Sequence, residues 1–170
     1  MLRKTLLLAL VSFLPFVLFS KDKEQGPDHL MVGPGIFDVD KDYPKFLAHL
    51  EYRWDVNCHN VRPLVAFFIT TNQGVFACGG VAYDIFIGPH FVITPSFAPG
   101  VFAHGWGKNL GFPINFRSAM EMAYVFKDKG RVGAQFNHIS NAGMLHRNPG
   151  ANSLIFYFAV PFSNVKSAKK

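Results

Sequence analysis

At 170 residues and 19.0 kDa the chain has room for one domain with short tails, which excludes a large multidomain enzyme. Apolar residues make up 49% and charged residues only 16%, below the roughly 25% of an ordinary soluble domain, so neither disorder nor a heavily charged surface fits. Five of the basic residues behind the formal charge of +6 sit at the ends (Arg3, Lys4, Lys166, Lys169 and Lys170), and the nearly neutral body offers no basic face for nucleic acid.

Residues 1–20 begin Met1-Leu2-Arg3-Lys4 and continue from Thr5 to Ser20 as a mostly apolar run broken by Pro15. Such a run is short for a membrane-spanning helix and has the form of an export signal. Residues 21–30 then read as a short polar lead, residues 31–162 as the folded body and residues 163–170 as a polar tail.

Within the body, apolar residues alternate rather than recur at helical spacing, which predicts strands. Turn signals divide the body into eight runs, over 31–39, 45–55, 61–71, 75–87, 90–104, 113–127, 131–142 and 153–162. In the second, Phe46, Ala48, Leu50, Tyr52 and Trp54 share one face, while Lys45, His49, Glu51, Arg53 and Asp55 share the other. The fifth contains Pro95 and Pro99, each missing a ladder donor, and is expected to be the least regular. The sixth repeats the alternation, with Phe116, Met120, Met122 and Tyr124 opposite Arg117 and Glu121, and the eighth does so from Leu154 to Phe162. Asn72-Gln73-Gly74 and Lys127-Asp128-Lys129-Gly130 have the composition of hairpin turns.

Eight antiparallel strands without a covering helix must close, since an open sheet leaves unpaired edges. The expected fold is therefore an all-β, eight-stranded antiparallel barrel. Large complementary charges such as Glu51, Arg53, Arg117 and Glu121 suit a lumen, and the bulky aromatic face suits a lipid band, which points to an outer-membrane barrel. A secreted, lipocalin-like carrier of apolar ligands, with the aromatic face turned inward, is the competing architecture. Trp54 and Trp106 read as interfacial girdle residues. Cys58 and Cys78 are about 33 Å apart along the wall at roughly 3.3 Å per residue, so two free thiols are expected. No metal is expected, because His29, His49, His59, His90 and His104 lack ligand spacing.

The seventh run carries the candidate chemistry. Val132, Ala134, Phe136, His138 and Ser140 share its lipid-facing side. Side-chain bases two residues apart on a strand are separated by roughly 6.6 Å, a gap that an imidazole and a hydroxyl close, so His138 is a candidate base for Ser140 as nucleophile. In the loop that follows, His146 and Arg147 are candidate contacts for lipid phosphates.

His138-Ile-Ser140-Asn141-Ala142-Gly143, Asn148-Pro149-Gly150-Ala151-Asn152-Ser153 and the closing Val160-Pro161-Phe162 strongly resemble the PagL-type lipid A 3-O-deacylases. Leu110 to Ser118, Glu51-Tyr52-Arg53 and Gly33 to Val39 are similar to that family too, so that the likeness spans most of residues 31–162. The resemblance implies an outer-membrane serine esterase that removes the 3-O-linked 3-hydroxyacyl chain of lipid A, the membrane anchor of lipopolysaccharide. It implies no cofactor. By the same resemblance Ser140 is the nucleophile, His138 the base and Asn141 the candidate oxyanion group. The family's acidic position, fourteen places after the histidine, is occupied here by Asn152, which can orient an imidazole but brings no negative charge. A catalytically weak or inactive barrel of the same family is therefore the competing functional reading. As the terminal aromatic of the last strand, Phe162 is the expected signal for the outer-membrane assembly machinery.

Overall fold

The computed structural model describes residues 26–41, 44–55, 60–144 and 147–162. The export signal, most of the polar lead, Cys58, His146 and the polar tail lie outside those residues. Among the described residues there are nine β-strands: β1 (Asp28–Phe37), β2 (Lys45–Arg53), β3 (Val61–Thr70), β4 (Val75–Tyr83), β5 (Ile85–Ile87), β6 (Phe91–Ala103), β7 (Ile114–Val125), β8 (Arg131–Ser140) and β9 (Ala151–Phe162). All pairings are antiparallel. Each strand pairs with the next except β4 with β5, β9 returns to β1, and β4 pairs with β6, so the sheet closes on itself.

This is the expected eight-walled barrel, because β4 and β5 form one wall. The run from 75 to 87 breaks at Asp84, whose backbone N–H donates to Asn60 O and whose side chain turns into the lumen. The small β5 then pairs with β6 alone. The run with two prolines is a continuous strand after all, and its irregularity appears as a gap in the β4–β6 ladder: pairing stops at Cys78↔Gly100 and resumes at Val81↔Phe97. β1 starts three residues earlier than the alternation indicates. Asp28 anchors it by accepting from Tyr52 Oη at 2.8 Å and from the backbone N–H of Asp55 at 2.7 Å.

The parity of the side chains is that of a membrane barrel. Glu51 and Arg53 are buried, while Phe46, Leu50 and Trp54 point outward. Phe156 and Met122 are 56% and 61% exposed on the outer wall, the reverse of what a lipocalin-like carrier needs. Across the bore, Arg53 donates to Glu121 through both terminal nitrogens, at 3.2 and 2.6 Å, and through Nε to Glu51 at 2.5 Å. Arg117 Nη1 reaches the other oxygen of Glu51 at 2.7 Å. Nearer the N-terminal end of β1, Asp84 accepts from Arg62 Nε at 2.7 Å, from Arg131 at 3.0 and 2.6 Å, and from Thr94 Oγ1 at 2.9 Å.

Charge fills only part of the lumen. Toward the mouth beyond Phe37, Thr70, Ala103 and Ser140, which we call the distal mouth, Phe37, Phe68, Phe76 and Phe102 pack as a ring cluster with centroids 5.5–5.8 Å apart. Leu110, from the β6–β7 connection, is buried in the same core, and Lys108 of that connection donates to Asp38 at 2.6 Å. The connection thus folds over the distal mouth and is pinned there. Both hairpin turns form where expected, with Gln73 and Lys129 at positive φ. Cys78 is a free, buried thiol. Trp54 stacks edge-to-face on Tyr52 in the wall, whereas Trp106 sits on the β6–β7 connection and donates to Gln73 at 3.1 Å.

Breaking one arm of the lumen lattice leaves a buried charge uncompensated, which costs about 3–5 kcal/mol. Glu121→Leu is expected to lower the denaturant midpoint of the detergent-folded barrel accordingly. The double change Glu121→Leu with Arg53→Met is expected to recover most of the loss, and equal midpoints for the parent and the single variant would contradict this.

Candidate active site on the outer wall

β8 presents Val132, Phe136 and His138 outward and buries Arg131, Gln135, Asn137 and Ile139 inside, with Ser140 half-buried on the outer side. The expected sidedness of His138 and Ser140 therefore holds. On β9 the direct partner of His138 is Asn152, and the two side chains meet: His138 Nδ1 donates to Asn152 Oδ1 at 2.8 Å. In the neutral ring this bond sets the tautomer with the proton on Nδ1, which leaves on Nε2 the lone pair needed by a base. The backbone of Asn152 is itself held, its carbonyl accepting from Val39 N at 3.0 Å.

Ser140 lies two residues along β8 from His138, opposite Phe116 on β7. Among the described residues its hydroxyl has no hydrogen bond to the imidazole; the structure joins His138 to Asn152 and leaves Ser140 one pleat away on the same face. Apo sites commonly show this looseness, the bond tightening when substrate arrives.

Asn141 is fully buried and heavily used. Its side-chain amide donates to Leu110 O at 2.9 Å and to Arg147 O at 2.8 Å, and its Oδ1 accepts from Gly143 N at 2.9 Å. Its own backbone N–H donates to Asn148 Oδ1 at 3.1 Å. With both amide hydrogens committed, the side chain has no donor left for an oxyanion, and its effect is to tie the β8–β9 connection to the cap over the mouth. Ala142, at φ 54°, follows it on the exposed side of the turn. Arg147 is exposed on the same connection, its carbonyl held by Asn141. No group of three or more His, Cys, Asp or Glu side chains among the described residues is arranged to hold a metal ion.

Two residues near the imidazole escaped the sequence reading. Ser118 on β7 is the direct partner of His138 on the side away from Asn152, and it is exposed. Its signal was the hairpin turn around Asp128, since Ser118 and His138 are equidistant from it. Gly150, at φ 57°, lies against the ring: a Cβ there would stand 3.0 Å from His138 Cε1 and 3.5 Å from Nε2. Nothing in the local sequence marks that contact, which depends on how the β8–β9 connection returns.

Fold and side chains together define an outer-membrane β-barrel bearing hydrolase-type groups on its lipid-facing wall. The chain belongs to the lipid A 3-O-deacylase (PagL) family, whose sequence profile matches residues 37–161. Among solved structures, the crystal structure of the outer membrane enzyme PagL is similar with a TM-score of 0.63 at 19% identity, covering 79% of this chain and 99% of that one. A de novo designed transmembrane β-barrel follows at 0.57 and 10% identity (82% and 98% covered), and the Yersinia pestis outer membrane protein Ail at 0.51 and 11% (80% and 100%). At these identities the structural likeness is one of fold. No curated protein matches the sequence.

Gly150→Ala forces a strained φ and pushes a methyl group against the ring, whereas Gly143→Ala meets a positive φ of 75° with nothing within 4 Å. Both changes are expected to cost about 1 kcal/mol or more in stability. Only Gly150→Ala is expected to shift the His138 imidazole resonances in NMR spectra of the detergent-folded protein.

Proposed function

We propose that this barrel hydrolyses the 3-O-linked ester of lipid A and releases a 3-hydroxyacyl chain, with Ser140 as nucleophile, His138 as general base and Asn152 as the group that orients the imidazole. The observation that carries the reading is the His138 Nδ1 to Asn152 Oδ1 bond on the outer wall, one pleat from a hydroxyl. A base needs a fixed tautomer and an open Nε2, and this bond provides both. A lipid-facing position is where an enzyme meets a substrate that never leaves the bilayer.

In the proposed reaction His138 Nε2 takes the Ser140 proton as Oγ attacks the ester carbonyl. The imidazolium then protonates the departing sugar oxygen at position 3, leaving the acyl group on Ser140. Water, activated by the same Nε2, releases the 3-hydroxy acid and restores the hydroxyl. Asn141 acts in this scheme by pinning the backbone after the nucleophile, and the N–H of the exposed residue Ala142, which has no hydrogen-bond partner among the described residues, is the assigned oxyanion donor. Arg147, with His146 beside it in sequence, is assigned to lipid A phosphate, for which a guanidinium is geometrically suited. The assembly machinery is assigned to the Phe162 end of β9.

Asn152 favours a second reading, a slow or inactive relative. A neutral amide positions the ring but does not stabilise the imidazolium that forms during acylation, and losing such a charge costs orders of magnitude in a serine hydrolase.

Expression in a lipopolysaccharide-bearing host, followed by mass spectrometry of lipid A, tests both. The parent chain is expected to remove one 3-hydroxyacyl chain, Ser140→Ala and His138→Ala to abolish the loss, and Asn152→Glu to raise the rate about tenfold or more. Intact lipid A in every variant, with the barrel folded by its heat-dependent electrophoretic shift, would overturn the enzymatic reading in favour of the inactive one.

A further inference from the structure

On the outer wall His138 stands between two polar neighbours. Asn152 on β9 holds its Nδ1; on the other side, Ser118 of β7 is its cross-strand partner. Partners directly opposite in an antiparallel pair have their Cβ atoms about 4.5–5.5 Å apart, and diagonal neighbours such as Ser118 and Ser140 are separated by about 7–8 Å. Asn152, His138 and Ser118 thus form one polar row, with Ser140 a pleat nearer the distal mouth.

Apart from His138, the neighbours of Ser118 on the outer wall are apolar. Its partner on β6 is Phe97, whose ring stacks on that of Phe116 at 5.9 Å and 13°. Met120, the next outward residue on β7, pairs with Phe136 on β8, and both are exposed to lipid. Among the described residues the Ser118 hydroxyl has no hydrogen-bond partner. A bare hydroxyl facing lipid is costly unless something polar arrives to pair with it.

We propose that Ser118 is a specificity-determining residue that binds the 3-hydroxyl of the acyl chain being removed. The assignment rests on the deacylase reading above. With the ester carbonyl at Ser140, the acyl chain must run away from the distal mouth, along the wall toward the bilayer centre, because its tail is hydrocarbon. The hydroxyl is two carbons beyond the carbonyl, which brings it to the level of the polar row, on the β7 side where Ser118 lies. Asn152 is already bonded to His138 and belongs to the β9 side. Beyond this level the wall offers Met120 and Phe136, which suit the remaining methylenes. Ser118 therefore distinguishes a 3-hydroxyacyl ester from a plain acyl ester at the same position.

The test uses the full chain folded in detergent and two synthetic lipid A monosaccharides that differ only at O-3, one bearing a 3-hydroxyacyl chain and the other an unhydroxylated chain of equal length. The ratio of kcat/KM for the hydroxylated over the plain ester is the readout, because misfolding lowers both rates together and leaves the ratio alone. Ser118→Ala is expected to lower the ratio about five- to tenfold, the worth of one hydrogen bond, and Ser118→Thr to preserve it. An unchanged ratio in Ser118→Ala overturns the assignment while leaving the deacylase reading intact. Failure of the parent and of Asn152→Glu to cleave either ester removes the deacylase reading itself, and the role of Ser118 falls with it.

Discussion

The bond on which the structure depends is the ion pair between Arg53 and Glu121 across the bore. A strand has a period of two, so placing Arg53 and Glu121 inside dictates the facing of every other residue on β2 and β7. With Glu51, Arg117 and Gln135 joined to the same lattice, β8 is held to that parity as well, since Gln135 Nε2 donates to Glu121 at 3.3 Å. A one-residue slip in β8 would bring Gln135 and Asn137 into lipid and carry His138 and Ser140 into the bore. The buried charges are thus what aim the imidazole and the hydroxyl at the membrane.

The barrel separates its tasks by surface. The lumen carries no chemistry in this account: lattice charges fill one end, and Phe37, Phe68, Phe76 and Phe102 close the other beneath the cap that Leu110 and Lys108 hold down. The bilayer accepts no unpaired backbone, so the closed sheet is the only way for these strands to cross it. A site on the outer wall then needs only a local polar break in the aromatic band, and the row Asn152, His138, Ser118 with Ser140 beside it is such a break. Asn141 connects the two surfaces, because one amide bonds both the cap at Leu110 and the connection at Arg147.

Much of this was legible as alternation. The opposed faces of residues 45–55 and 113–127 show parity directly, and the same parity puts His138 and Ser140 on the lipid side. The turn around Asp128 even encodes the pairing of Ser118 with His138, although that count fails if the turn gains or loses one residue. The pairing of His138 with Asn152 crosses the 141–150 connection, whose length says nothing about register, and only the family likeness pointed to it. The lumen aromatics were hidden because a phenylalanine on either face looks alike in sequence; Phe67 faces lipid and Phe68 faces the core. Asn141 was not legible as a loop pin for a different reason. An amide next to a candidate nucleophile suggests a donor, while its use as a loop pin depends on two carbonyls, at Leu110 and Arg147, that are remote or loop-borne.

The central claim is that Ser140 is an activated hydroxyl open to lipid. Treating outer membranes that contain the folded chain with a long-chain alkyl phosphonate ester, then mapping the adduct by peptide mass spectrometry, tests it most directly. The account expects phosphonylation on Ser140, greatly reduced when His138 is replaced by alanine and unaffected by water-soluble quenchers confined to the aqueous phase. An unmodified Ser140 in a correctly assembled barrel, or an adduct that forms equally well without the imidazole, would contradict it.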